Sequence, residues 1–84
     1  MINQYRRYYY EVQYQIKVDA KVNDSGNYFF HSQDELKEAD FITNIASYLK
    51  TTNDSVLINS YQALSHDKWQ ERGGVFEEHT FIRS

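Results

Sequence analysis

The sequence contains no cysteine and no proline, and only three of its 84 residues are glycine. Without cysteine, the chain can form neither a disulfide framework nor a thiolate metal site, which fits a reducing cytoplasm. No stretch approaches the roughly 20 apolar residues of a membrane-spanning helix, and residues 1–10 carry two arginines without the apolar run of a signal peptide. The sequence therefore predicts a cytoplasmic protein with no membrane contact.

Length and charge set further bounds. The 84 residues predict a single domain over 1–84, and a chain of this size buries only about 60% of its unfolded surface. The formal net charge of -3 disfavours a duplex-DNA binder, which must neutralise many phosphates. Aromatic residues make up 17% of the chain, with eight tyrosines. This content is compatible with a β-rich core and with a binding interface, where tyrosine is favoured.

The longest pattern in the chain is an alternation of apolar and polar residues from Tyr8 to Val22. A period of two indicates a β-strand with one buried and one wet face. At about 3.3 Å per residue, this strand over about 8–22 would be about 50 Å long, well beyond the usual length. It therefore bends, or its Tyr8–Tyr14 half is covered by a further neighbour such as a second copy of the chain.

Turn formers and a short apolar run follow this strand. The cluster Asn23–Asn27 predicts a turn, and residues 28–31 predict a second strand that pairs antiparallel with the first. Ser32 and Glu35 then match a capping box, which predicts a helix over about 33–50. Its apolar residues have helical spacing and comprise Leu36, Ala39, Ile42, Ile45, Ala46 and Leu49.

A third strand is predicted over about 55–64. Its apolar positions switch parity, with Val56 and Ile58 on one face and Tyr61 and Ala63 on the other. Such a switch predicts a bulge near Asn59-Ser60, or burial on both faces.

The C-terminal segment has two interpretations. Gly73-Gly74 favours a hairpin turn before a last strand over about 75–82. Alternatively, Ser65 caps a helical turn that runs through Arg72 and ends at the glycines. With the hairpin, the order β-β-α-β-β predicts an α+β domain, a four-stranded antiparallel sheet with one helix on one face. Since one helix cannot cover such a sheet, the other face is polar or meets a partner.

Aromatic and basic residues interleave near the N-terminus, from Tyr5 to Tyr10. In single-stranded nucleic acid binders, rings stack on bases while guanidinium groups hold phosphates. The alternatives are a protein interface, or an edge strand whose arginines, Arg6 and Arg7, keep the terminus soluble. Trp69, the only tryptophan, is either a semi-exposed interface anchor or a ring packed over a small hairpin.

Acidic residues form a second candidate set. They could present spaced negative charge to a basic groove and so imitate phosphates. The alternative is a solvated helix face that suits the helix macrodipole. The set comprises Asp34, Glu35, Glu38, Asp40, Glu77 and Glu78.

No catalytic, metal or nucleotide motif is present in the sequence. His31, His66 and His79 lack the spacing of a preformed metal site, and no nucleophile elbow accompanies His66-Asp67. Gly73-Gly74 lacks the lysine of a phosphate-binding loop. The sequence therefore predicts neither an enzyme nor a cofactor.

In size and composition, the chain resembles small accessory proteins of bacteriophages, the anti-CRISPR proteins among them. The shared features are a short acidic chain rich in Tyr, Asn and Ile, the absence of cysteine and proline, and the β-β-α-β-β order. The chain also resembles these proteins in the residue types of two segments, Tyr9-Tyr10-Glu11 and Asp34-Glu35-Leu36. No functional residue is carried over from the resemblance. The resemblance implies a non-enzymatic inhibitor of a host nuclease complex.

These observations predict a cytoplasmic protein that binds and inhibits a larger protein partner, which the resemblance suggests is a host nuclease effector. The expected contact residues are Tyr5, Arg6, Arg7, Tyr9, Trp69, Glu77 and Glu78. The alternatives are a single-stranded nucleic acid-binding accessory protein, and a structural protein that forms a homodimer through its first strand.

Overall fold

A computed structural model describes residues 7–75 and 80–83, and it confirms an α+β fold built on an antiparallel sheet. The strands lie in the order β3-β1-β2-β4. In chain order, the elements are β1 (Tyr8–Val18), β2 (Lys21–Ser32), α1 (Glu38–Leu49), a 3₁₀ turn (Asn53–Ser55), β3 (Val56–Leu64), α2 (His66–Arg72) and β4 (Thr80–Arg83).

The predicted strand over 8–22 is wrong, because the chain reverses at Asp19-Ala20. Val18 pairs with Lys21 across this two-residue turn. Both turn residues have positive φ, 52° and 65°, as a type I′ hairpin turn requires. The predicted turn at Asn23–Asn27 is also wrong, since these residues lie within β2.

A bulge in β2 follows the turn and sets the parity of the rest of the strand. Lys17 pairs with Val22, but Ile16 pairs with Asp24, so Asn23 is an extra residue in the ladder. The extra residue shifts the parity of β2 by one. As a result, Tyr28 and Phe30 lie on the same face as the even-numbered residues of β1. The second strand itself begins at Lys21, well before the predicted 28–31.

The predicted third strand and its bulge are confirmed. Gln13 pairs with Ser60 whereas Tyr14 pairs with Ile58, which makes Asn59 the extra residue. The bulge thereby brings Val56 and Ile58 onto the same face as Tyr61 and Ala63, as the switch of parity indicates.

Strand β1 lies in the centre of the sheet, paired with β2 on one side and with β3 on the other. Its N-terminal half, which the sequence left without a neighbour, is covered by both. Homodimerisation by pairing of the first strand is therefore wrong, since neither edge of β1 is available. The outer strands are β3 and the short β4.

The helix α1 covers one sheet face, here called the helix face, and buries the main core. The buried side chains are Tyr10, Val12, Tyr14, Ile16, Tyr28, Phe30, Phe41, Ile45, Ala46 and Val56. The capping box predicted at Ser32 and Glu35 is wrong. The helix begins at Glu38, where Asp40 Oδ2 accepts the Lys37 amide at 2.9 Å, while Ser32 Oγ accepts the nearby Asp34 amide.

The prediction of a single helix is wrong, because α2 replaces the favoured hairpin at Gly73-Gly74. The helical alternative is confirmed. Ser65 Oγ accepts the Lys68 amide at 3.2 Å, and the helix ends at Gly73 with φ 133°, which favours glycine. Of the last strand predicted over 75–82, residues 76–79 lie outside the described residues, and β4 pairs with β2 from Thr80 onward.

Candidate protein-binding surface

The sheet face opposite α1 is polar and uncharged over much of its described area, and we call it the amide face. Neighbouring strands place amide and hydroxyl side chains beside one another, as the pairs Gln13–Ser60 and Gln13–Asn27 illustrate. Ser60 Oγ donates to Gln13 Oε1 at 2.9 Å. A shallow depression of about 220 Å³ lies beside these groups, lined by Glu11, Gln13, Ser60, Tyr61 and Gln62.

Helix α2 covers one end of the amide face and is fastened there by Trp69. The Trp69 side chain is 0% exposed, and its Nε1–H donates to the Tyr10 carbonyl oxygen at 3.1 Å. The Tyr9 ring lies 5.2 Å from the Trp69 ring, centroid to centroid. A Cβ atom at Gly74 would overlap the indole, so glycine allows the chain to pass directly against the ring.

A buried carboxylate provides the second attachment of α2. Glu11 is 3% exposed, and the Arg72 guanidinium donates to both of its oxygens, through Nε and through a terminal nitrogen 2.9 Å from Oε2. Gln62 Nε2 also donates to Glu11 Oε1, at 3.2 Å. The hydrogen bond to Glu11, and then the charge of Glu11, raise the pKa of Arg72. Such a bidentate pair fixes orientation, so it fixes the angle of α2 on the sheet.

The outer side of β3, Val56–Leu64, is here called the β3 edge. Among the described strands, β3 pairs only with β1, and none of its nine residues is charged. Leu57 and Tyr61 are 44% and 45% exposed and lie on opposite faces of the sheet, because they pair with Gln15 and Val12 respectively. The edge thus combines large exposed apolar side chains with backbone groups that no described strand pairs.

Two core tyrosines have raised pKa values because burial disfavours the charged phenolate. Burial raises the pKa of Tyr28 strongly, with a smaller contribution from Tyr48. Burial also raises the pKa of Tyr10, although its phenol oxygen accepts the Leu36 amide at 2.9 Å. Both groups belong to the helix face and maintain the core.

The structure brings together only part of the predicted contact set. Tyr5, Arg6, Glu77 and Glu78 lie outside the described residues. The Arg7 guanidinium donates to His31 Nδ1 at 3.1 Å. The half-buried Tyr9 ring clusters with the rings of Trp69, His31 and His66. Trp69 itself is buried, so its interpretation as a semi-exposed interface anchor is wrong.

The acidic set and the histidines show no further convergence within 7–75 and 80–83. Asp34, Glu35 and Glu38 are exposed near the start of α1, while Asp40 accepts the Lys37 amide there. No group of three or more His, Cys, Asp or Glu side chains in this part of the chain could hold a metal ion. None of the described helices is long and apolar enough to cross a membrane.

The sequence predicted neither the buried Glu11 of the amide face nor the outer position of β3 in the sheet. The alternation predicts Glu11 on the wet face of the first strand, and the local sequence does not reveal that Arg72, 61 positions away, covers it. The β3 edge did leave a signal, since a nine-residue strand without charge is unusual for an exposed edge. The absence of charge is visible in the sequence of residues 56–64.

Comparison with protein-family models, with curated proteins and with solved structures gives no match.

Proposed function

We propose that the protein is a non-enzymatic binding protein that adds an extended segment of a larger protein to its β3 edge. The observation that carries the proposal is the position of β3 at the outside of the sheet, with nine consecutive uncharged residues. Natural edge strands usually carry charge or proline that prevents pairing. An uncharged edge instead offers backbone N–H and C=O groups to an incoming strand, as in β-strand addition.

The exposed side chains of the edge would select the segment. Tyr61 is supported by the Phe41 ring, whose centroid lies 4.7 Å from its own, so the phenol is held in place while almost half of it is exposed. Tyrosine is enriched among the residues that dominate binding energy at interfaces. Because the bulge at Asn59 interrupts the ladder, the longer uninterrupted stretch, 60–64, is where we expect the incoming strand to pair.

The class of partner comes from the resemblance in size and composition to small phage inhibitors. An inhibitor of this kind acts by occupying a surface that its target needs, and a host nuclease complex is the target we propose. The exposed acidic residues near the start of α1, Asp34, Glu35 and Glu38, support this because negative charge would steer the protein toward a nucleic acid-binding groove.

A second candidate function is single-stranded nucleic acid binding at the end of the amide face where α2 packs. One observation favours it: the half-buried rings of Tyr9, His31 and His66 lie together, with Arg7 hydrogen-bonded to His31. Stacking of bases on such rings would be sequence-tolerant. An oligothymidine titration checks it, because nucleic acid binding weakens steeply as salt rises, whereas the absence of binding at low salt would reject it.

The test of strand addition compares two Gln→Lys variants in affinity capture from bacterial lysate. Gln62→Lys places a charge on the β3 edge, whereas Gln13→Lys places the same charge on the same face of the central strand, where both edges are occupied. We expect a protein captured by the wild type and by Gln13→Lys to be lost with Gln62→Lys. Equal capture by both variants would contradict binding at the edge.

A further inference from the structure

We infer that the β3 edge also pairs with the β3 edge of a second copy of the chain, in a two-fold antiparallel ladder centred on Gln62. The inference goes beyond the proposed function, because it names a second occupant of the same edge. Two-fold symmetry makes the two surfaces identical, so each residue must fit the residue that symmetry places opposite it. The sequence of β3 restricts which centre satisfies that condition.

Side-chain size selects the centre. About Gln62, each Tyr61 lies opposite Ala63 of the second copy on the helix face, so a large ring meets a small side chain. A centre at Tyr61 would instead bring the two phenol rings together at one point. A centre at Ser60 would oppose Tyr61 to Asn59, which is the bulge residue and has no regular place in a ladder.

Charge is the second restriction. Residues directly opposite each other in an antiparallel pair repel if they carry like charge, and a residue on a two-fold axis always meets itself. All nine β3 residues are uncharged, so the ladder contains no such repulsion. Gln62 on the axis is self-complementary, because an amide both donates and accepts. One of its N–H groups donates to Glu11, which leaves the second N–H and the acceptor oxygen for its symmetry mate.

The size of the ladder sets its strength. A pairing confined to residues 60–64 buries less than the roughly 1,000 Å² expected of a stable interface. The dimer is therefore a weak one that forms at high protein concentration and releases the edge on dilution. Such an exchange would cover an otherwise exposed edge while leaving it available to a tighter-binding segment.

Sedimentation velocity over about 10 μM to 1 mM, a range that spans weak association, tests the inference with the same two variants. We expect the weight-average mass of the wild type and of Gln13→Lys to rise from the monomer value of 10.1 kDa toward twice that value. Gln62→Lys, which places two ammonium groups opposite each other at the axis, should stay at the monomer mass. Circular dichroism confirms that each variant is folded before the comparison.

The two proposals fail in different ways. A wild type that stays monomeric throughout the range, or a Gln62→Lys variant that associates as the wild type does, overturns the self-pairing. If in that case Gln62→Lys still loses the captured protein, strand addition of a partner stands alone. If instead the wild type dimerises and both variants capture the same protein equally, the self-pairing stands and the proposed function falls.

Discussion

Replacing Ala20 by glycine should stabilise the protein, although the change removes a methyl group. Ala20 has φ 65° in the turn between β1 and β2, and the left-handed region costs a residue with a Cβ atom roughly 1–2 kcal/mol. Glycine adopts this φ freely, but its greater freedom in the unfolded chain offsets about 0.5–1 kcal/mol. We therefore expect the free energy of unfolding to rise by about 0.5–1 kcal/mol.

The measurement is a pair of thermal and urea unfolding curves with a matched control. For a domain of this size, the expected gain corresponds to a Tm increase of about 2–8 °C. Ala63→Gly is the control, because Ala63 lies within strand β3, where glycine destabilises by about 0.5–1 kcal/mol. The same substitution should thus change stability in opposite directions at the two positions.

The outcome that refutes this reasoning is a loss of stability in both variants. That result would mean that Ala20 has ordinary extended backbone, as the uninterrupted alternation over 8–22 suggested. It would also remove the two-residue turn on which the register of β1 and β2 depends.

Three further predictions concern α2 and the core. Gly74→Ala should lower stability by about 1–3 kcal/mol, because the added methyl overlaps the Trp69 ring. Urea unfolding tests this in the Trp69→Leu background, where a smaller loss of stability would confirm the contact and an equal loss would contradict it. Arg72→Gln should lower stability more in the wild type than in the Glu11→Gln background, because only in the wild type does it leave a buried carboxylate without its guanidinium. A double-mutant cycle measures the difference, and additive effects would count against the ion pair. Burial raises the pKa of Tyr28 above its usual value near 10, so above about pH 10 the folded state holds a proton that the unfolded state has lost, and stability should fall as pH rises. Urea midpoints at increasing alkaline pH, compared between the wild type and Tyr28→Phe, test this, and an identical pH dependence in the two proteins would reject it.

The sequence predicted those elements whose signals are local. The apolar stripe of α1 and the switch of parity in β3 both depend on neighbouring residues, and the structure contains the helix, the strand and the bulge. Ser65 also indicated α2, but a seven-residue helix has too few turns to show periodicity, and Gly73-Gly74 matched a hairpin turn equally well.

The first hairpin could not be predicted because its turn signal is weak and Val22 continues the apolar alternation. Asp19-Ala20 is a weak turn signal, since neither residue is glycine. Val22 pairs with Lys17 and is 52% exposed, so it extends the pattern in the sequence although it lies on the face opposite the even-numbered residues of β1. Strand order was likewise hidden, because the positions of β1 in the centre and β3 at the outside arise from pairings distant in sequence.

Amide hydrogen exchange along β1 and β3 tests the central claim, an open β3 edge, most directly. In dilute protein, we predict protection at successive residues of β1, which is paired on both sides, and fast exchange at alternate residues of β3, whose outward amides meet water. Uniform protection of both strands in dilute monomer would mean that the edge is already covered, and would contradict the account.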